Sequence, residues 1–375
     1  MGLSRYTLGK LLVRNTECNI KNKFDADSVR GLLNSKGITN TKANIEGRDL
    51  KKFIVVRPGG FVFNHRVHDK LGLGYNTSDD TYLFTNDYVS FYVRPEFKNT
   101  ILLPDYLYMW YLRPEFDRYM LFKTYGSATL FFNWDNMCEL EIQLPDISVQ
   151  QKYVAIYKAM VANQQSYERG LEDLKLTIDA QIEKIKHTAP ELSVAQLLYE
   201  VNIRNSDGAI KNVQGINISK QFMASVADTN GVDLTKYKVV QKGQFAFSGM
   251  QTGRDECIRI ALCDAEEPII ISPAYTVFEA KSQMVYPEYI MLWFLRGESD
   301  RRGWFMSDSS VRTNLDIDRF FEIKVPVPKK NIQKAIAELY IVYNTRKKIN
   351  EQLKAQIKDI CPILIRGSLE EKENV

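Results

Sequence analysis

The sequence predicts an α+β protein built from two copies of one mixed α/β unit, each followed by a long helix. Three observations carry this prediction. There is an internal repeat, there are two long stretches with an apolar seam at helical spacing, and each copy holds short strand-like runs bounded by turn residues.

The repeat is read first. Asp49 to Asn64 (DLKKFIVVRPGGFVFN) matches Asp233 to Ser248 (DLTKYKVVQKGQFAFS), a shift of 184 throughout. Tyr88 to Val93 resembles Tyr275 to Phe278 at a shift of 187. Pro104 to Arg113 (PDYLYMWYLR) matches Pro287 to Arg296 (PEYIMLWFLR) at 183, which also sets Ile142-x-Leu144-Pro145 on Val325-x-Val327-Pro328. One residue is then lost, so that Gln151-Lys152 falls on Gln333-Lys334. Order and polarity recur with the small drifts that loop insertions produce. The chain therefore reads as unit, helix, unit, helix.

The first long helix is expected over Val149 to Lys186. Tyr153/Val154, Tyr157, Met160/Val161, Tyr167, Leu171, Leu174, Ile178, Ile182 and Ile185 step by threes and fours, a coiled-coil seam rather than a broad core stripe. Ser148 and Gln151 have the spacing of a capping box, and Pro145 and Pro190 lie just outside. The second seam, over Asn331 to Ile360, has the same period through Ile332, Ile336, Leu339, Val342/Tyr343, Ile349, Leu353, Ile357 and Ile360, and is expected to end before Pro362. So narrow a seam needs a partner helix. The two are expected to pair as an antiparallel coiled coil. Expected boundaries are 1–147 for the first unit, 148–187 for its helix, 188–328 for the second unit, 329–365 for the C-terminal helix, and 366–375 for a charged, disordered tail.

Within unit two, strands are expected at Tyr237–Val240, Gln244–Phe247, Ile258–Leu262, Pro268–Ile271, Tyr275–Phe278 and near Phe321–Val327. A short helix opens with Pro287, and its Tyr289, Leu292, Trp293 and Leu295 are core candidates. Unit one follows the same plan at Phe53–Val56, Phe61–Phe63, Tyr88–Val93 and Leu140–Leu144.

Bulk properties set limits. The 375 residues are 45% hydrophobic and 26% charged with net charge +4, which permits nucleic-acid binding without arguing for it. No apolar run of about 18 residues is present, and the N-terminal residues form neither a signal-peptide h-region nor a good myristoylation site. Five scattered cysteines without a CxxC pair fit free thiols in a reducing cytoplasm.

Enzyme signatures are weak. His65 and His68 are spaced H-x-x-H, but no cysteine or carboxylate cluster completes a metal site, and polar-contact histidines explain them better. Gly72-x-Gly74 lacks the third glycine of a dinucleotide loop. There is no P-loop and no Asp/Asn-Pro-Pro-aromatic tetrad, and Glu322-Ile-Lys324 has Glu139-Leu-Glu141 as its repeat partner, which removes the nuclease-like lysine.

The informative residues sit where the copies diverge. After the Phe-x-Phe strand, unit one has Asn64, His65, Arg66, His68 and Lys70, and unit two has Ser248, Gln251, Thr252 and Arg254. After the short helix, unit one has Lys123, Tyr125, Ser127 and Thr129, and unit two has Ser309, Arg312 and Asn314. Side chains of these types hold phosphates and read base edges. They are also what solvated loops carry. Two divergent loops on a repeated scaffold favour recognition of two different targets, so these sixteen positions are the DNA-binding candidates; Arg254 and Arg312 lead in unit two. No residue is a catalytic or metal-ligand candidate.

With these motifs in hand, the chain resembles the specificity subunits of type I restriction–modification systems. The residues carrying the resemblance are Leu144-Pro145 with Ser148 to Lys152, Pro326-Val327-Pro328 with Gln333-Lys334, the Phe61–Phe63 and Phe245–Phe247 strands after Gly59 and Gly243, and Gly126-Ser127 with Ser309 to Arg312. The second proline turn departs from the pattern with Lys329-Lys330-Asn331, and Ser309 stands where the first copy has Gly126. The resemblance implies two target recognition domains, no catalysis in this subunit, and no cofactor of its own; S-adenosylmethionine, ATP and Mg would belong to partner subunits. It implies double-stranded DNA, two methyltransferase (modification) subunits and, in the larger complex, restriction subunits as partners, with no membrane and a cytoplasmic location. A rod of about 45–55 Å exceeds one DNA turn of about 34–36 Å, so a bipartite target with an unread spacer is expected. The competing expectation is a non-catalytic coiled-coil scaffold whose paired units bind protein.

Overall fold

The computed structural model describes residues 3–371 apart from 35, 127–128, 226–230, 251 and 309–312. The chain divides into two compact units, Met1–Ser166 with Glu351–Val375, and Tyr167–Asn350. Each unit thus owns one half of each long helix.

Unit one is organised on a four-stranded antiparallel sheet in the order Leu12–Asn15, Tyr88–Val93, Phe61–Asn64, Leu73–Tyr75. Gly59, at φ +83°, turns the chain into Phe61–Asn64, a left-handed conformation that costs glycine little. The strand then alternates Phe61 and Phe63 into the core, where Phe61 stacks on Phe91 at 5.1 Å. Helices Pro104–Tyr111 and Pro114–Lys123 cover this face, each with proline in its first turn, where no amide hydrogen bond is lost. Tyr106, Leu107, Met109, Trp110 and Tyr111 are buried there. Ser4–Thr7 pairs antiparallel with Glu141–Leu144 and carries the chain to the long helix.

Unit two repeats the plan by itself. Its sheet runs Leu198–Val201, Thr276–Ala280, Phe245–Ser248, Arg259–Leu262. Gly243 has φ +85°, helices Pro287–Phe294 and Gly297–Met306 cover the core, and Glu191–Ser193 pairs with Lys324–Pro326. The duplication read from sequence is therefore a duplication of topology. Tyr289, Leu292 and Trp293 are buried, and Leu295 is partly so. The last strand is shorter than expected, because Asp316 caps a helix, Ile317–Glu322, that takes up Phe321.

The two long helices are Ile147–Lys186 and Lys330–Glu370. Inside unit one they run antiparallel: Lys152 pairs with Glu371 at 2.6 Å, and Tyr153 lies against Gly367. Val154 shares a core with Cys361, Leu364 and Ile365. Inside unit two they are antiparallel as well, with Gly170 beside Arg346 and with Ile178, Ile182 and Ile185 in one core with Ile336 and Tyr340.

Three local expectations are corrected. The first helix begins at Ile147, so Ser148 lies in its first turn rather than at the cap, and Asp146 accepts the amides of Val149 and Gln150 through its carbonyl. The second helix does not stop before Pro362 but runs through it to Glu370, so the stretch after 365 is helix rather than a disordered tail as far as the structure describes it. Burial explains this: Cys361, Leu364, Ile365 and Ser368 are all buried in unit one, which outweighs the hydrogen bond proline removes. No residue is lost between the repeats at the helix starts. The equivalent residues are Gln150 and Gln333, at the unbroken shift of 183. Gln150 donates to the Ile101 and Pro145 carbonyls and accepts from the Leu103 amide, at 2.8, 2.9 and 3.0 Å. Gln333 donates to the Met284 and Pro328 carbonyls and accepts from the Tyr286 amide, at 3.1, 2.8 and 3.1 Å.

Candidate nucleic-acid interface

The two candidate loops of each unit meet in space, and by the same device in both copies. In unit one the Phe132 amide donates to the His65 carbonyl at 2.9 Å. In unit two the Leu315 amide donates to the Gly249 carbonyl at 2.8 Å. Each bond ties the segment leaving the Phe-x-Phe strand to the segment returning from the covering helices.

Unit one then builds a surface of rings. Arg66–Val67 pairs with Leu130–Phe131. His65 stacks on Phe131 with centroids 5.6 Å apart, and Phe131 on Tyr125 at 5.9 Å. His65 Nδ1 lies 2.6 Å from the Asp87 carbonyl oxygen; since that oxygen only accepts, Nδ1 carries the hydrogen. Asp87 also pairs with the exposed Arg66 at 3.4 Å. Asn64 turns its side-chain oxygen to the Arg66 amide at 3.0 Å. Lys123 is bonded to Glu139 at 3.0 Å, which raises its ammonium pKa above the ordinary value. His68, Lys70 and Thr129 are exposed. Phe131 and Asp87, which shape this surface, were not among the sequence candidates; the apolar run Leu130-Phe131-Phe132 beside a polar loop was the available signal.

Unit two builds its surface from backbone. Gly253 donates its amide to the Thr313 carbonyl at 2.9 Å, and Asp308 and Asn314 exchange bonds of 2.9 Å each. Gly249 approaches the Leu315 carbonyl so closely that any Cβ would collide with it. Thr313 holds φ +47° to make the approach. Arg254 is mostly exposed and lies 3.3 Å from Asp255, which also bonds Arg259. Burial pushes the Asp255 carboxyl up, but its hydrogen bonds from Arg259 and Arg254 hold it below the usual carboxylate range. Thr252 has no exposed surface and donates to the Gly249 carbonyl at 3.1 Å, and Ser248 is 6% exposed. These two build the loop and do not reach out of it. Ser127, Gln251, Ser309 and Arg312 lie outside the described residues.

In each unit an ion pair with a buried lysine locks a hairpin to a covering helix. Lys36 meets Asp117 at 2.7 Å, and Lys220 meets Asp300 at 2.7 Å. Burial lowers the Lys36 pKa, with Lys70 adding to the effect and Asp117 opposing it. Among the described residues no group of three His, Cys, Asp or Glu side chains could hold a metal ion, all five cysteines are free, and no helix is long and apolar enough to cross a membrane. A cavity of about 580 Å³ in unit two, lined in part by Ile178, Lys220, Phe222 and Tyr340, includes none of the candidate loop residues.

Two copies of one scaffold thus each bring two divergent loops together. Residues 227–359 match the family model described as the type I restriction modification DNA specificity domain. The whole chain has the fold of a type I S subunit: it aligns with the S subunit of the type I restriction-modification system from M. genitalium at TM-score 0.60 and 12% identity, over 98% of this chain and 96% of that one. The HsdS subunit from Thermoanaerobacter tengcongensis aligns over 98% and 96% at 10% identity and TM-score 0.39. A chain from a structure of type I R-M system assembly aligns over 98% of both at 12% and 0.45. No curated protein matches the chain by sequence. Residues 227–359 are thus similar to the type I specificity domain, and the chain has the fold of such a subunit, as the resemblance read from the sequence implies.

Proposed function

We propose that the chain is the DNA-reading subunit of a type I restriction–modification complex, recognising a bipartite, asymmetric target with one unit per half-site. The observation that carries this is the equivalent joining of the two loops, Phe132 to His65 and Leu315 to Gly249, beneath side chains that differ between the copies. A shared scaffold supplies geometry, and differing loops supply two specificities. The exposed candidates that reach outward are Arg66, His68, Lys70, Tyr125 and Thr129 in unit one and Arg254 in unit two. The chain carries out no chemistry. It recruits two modification subunits, which would bring S-adenosylmethionine, and restriction subunits, which would bring ATP and Mg. The test is to co-express the chain with a type I modification subunit from the same genome. Methyl transfer to duplex DNA should require both proteins. Transfer by this chain alone, or by the modification subunit without it, would overturn the assignment.

A further inference from the structure

The covering helices Pro114–Lys123 and Gly297–Met306 are identical at four positions under the shift of 183: Glu115/Glu298, Asp117/Asp300, Arg118/Arg301 and Phe122/Phe305. The fold accounts for the aspartates, which hold the buried lysines. Glu298 bonds Lys186 and Arg296, and Glu115 lies 3.4 Å from Arg118. The fold does not account for the phenylalanines, and the Glu115 contact of Arg118 is an exposed one within its own helix. Phe122 is 83% exposed and Phe305 is 75% exposed. Arg118 and Arg301 are exposed too, and each is four residues before its phenylalanine, so cation and ring share one helix face. Leu121 and Trp304, the neighbours of the two rings, add further exposed apolar surface.

Position says what this face meets. Each phenylalanine closes the helix that runs straight into a candidate loop: Tyr125, three residues on from Phe122, is the outer ring of the His65–Phe131–Tyr125 stack. In unit two the same helix end continues to Asp308, which is bonded to Asn314. Charge points the same way. Arg302 adds a second exposed cation in unit two, while Asp117 and Asp300 are neutralised by their buried lysines. The loops beside this face differ between copies, but the Arg–Phe pair does not. Its counterpart must be common to both half-sites, and the sugar–phosphate backbone of duplex DNA has that property.

We propose that Arg118–Phe122 and Arg301–Phe305 form a sequence-independent DNA clamp in each unit, the guanidinium on a phosphate and the phenyl ring packed on deoxyribose beside the loop that reads bases. This rests on the DNA-reading function proposed above. The test uses the complex with modification subunits and two duplexes, one carrying the methylated target and one with both half-sites scrambled, at two salt concentrations. Phe122→Ala and Phe305→Ala should each weaken binding about 10-fold on both duplexes, leaving their affinity ratio unchanged. Arg118→Ala and Arg301→Ala should weaken both and reduce the salt slope by about one. Subunit stoichiometry by light scattering should be that of the parent complex. Unchanged affinities would overturn the clamp. So would a changed ratio, since the pair would then read bases, and so would loss of modification subunits, since the face would then dock protein. A parent complex that binds both duplexes equally would instead defeat the DNA-reading function itself, and the clamp with it.

Discussion

Gln333 offers the sharpest test of how the long helix is tied to its unit. Its carboxamide is 1% exposed and makes three hydrogen bonds, to the Met284 and Pro328 carbonyls and from the Tyr286 amide. Gln333→Ala leaves all three backbone groups without that partner. An orphaned buried donor costs about 1–3 kcal/mol, and each carbonyl about 1 kcal/mol because it keeps a second lone pair. The total is about 3–5 kcal/mol, reduced if water fills the space. Native-state hydrogen exchange resolves the effect by segment. The amides of Pro287–Phe294 and of the first turns of Lys330–Glu370 should exchange roughly 100-fold or more faster, which is the kinetic reading of about 3 kcal/mol. Gln150→Ala should do the same to Pro104–Tyr111 and the start of Ile147–Lys186, since its three bonds are equivalent. Exchange within twofold of the parent chain in both variants would refute the reasoning that these two glutamines anchor the helices.

Other outcomes are expected. Ile178→Asp, at a position 4% exposed, should destabilise unit two by about 4 kcal/mol in urea unfolding; Leu174→Asp, at the partly buried edge of the same core, should cost less. Asp300→Ala should cost about 3–5 kcal/mol because it removes the carboxylate partner of the Lys220 ammonium and the acceptor of the Ile258 amide, and Lys220→Met with Asp300→Leu should recover only the part due to the ammonium. Arg254→Ala should weaken specific DNA binding by about 1–3 kcal/mol and relax discrimination at one half-site only, if it contacts a base. Glu279 is held below the ordinary glutamate range by hydrogen bonds from Tyr199 and Gln244. Its contribution is therefore present above the unfolded pKa of about 4.3 and is lost as pH falls through the lower folded value; Glu279→Gln should flatten that part of the acid-side stability curve.

The architecture was legible because its signals are long-range and repeated. Forty residues of seam and three aligned motifs survive local ambiguity, whereas single boundaries do not. Pro362 shows why: its stop signal is local, but Leu364, Ile365 and Ser368 bury against unit one and carry the helix onward. Ser148 fails for the opposite reason. Its capping spacing was present, but the helix starts one residue earlier, at Ile147, and the Asp146 carbonyl takes the amides of Val149 and Gln150. The candidate loops could be found, since divergence on a repeated scaffold marks them. Which of their residues face outward could not. Thr252 and Ser248 are polar and look available, yet both are buried, Thr252 with its methyl group against Gly303 of the covering helix. The exposure of Phe122 and Phe305 had no signal in the sequence, since phenylalanine is usually buried.

The central claim is that the two units read two separate half-sites through these loops. The direct measurement is to sequence the methylated bases of host DNA in three strains: gene intact, gene deleted, and gene carrying replaced unit-two loops at 248–254 and 307–314. The account predicts a bipartite methylated motif in the first, its absence in the second, and in the third a motif with one half changed and the other half kept. A motif present without the gene, or one that changes in both halves or in neither on loop replacement, would contradict it.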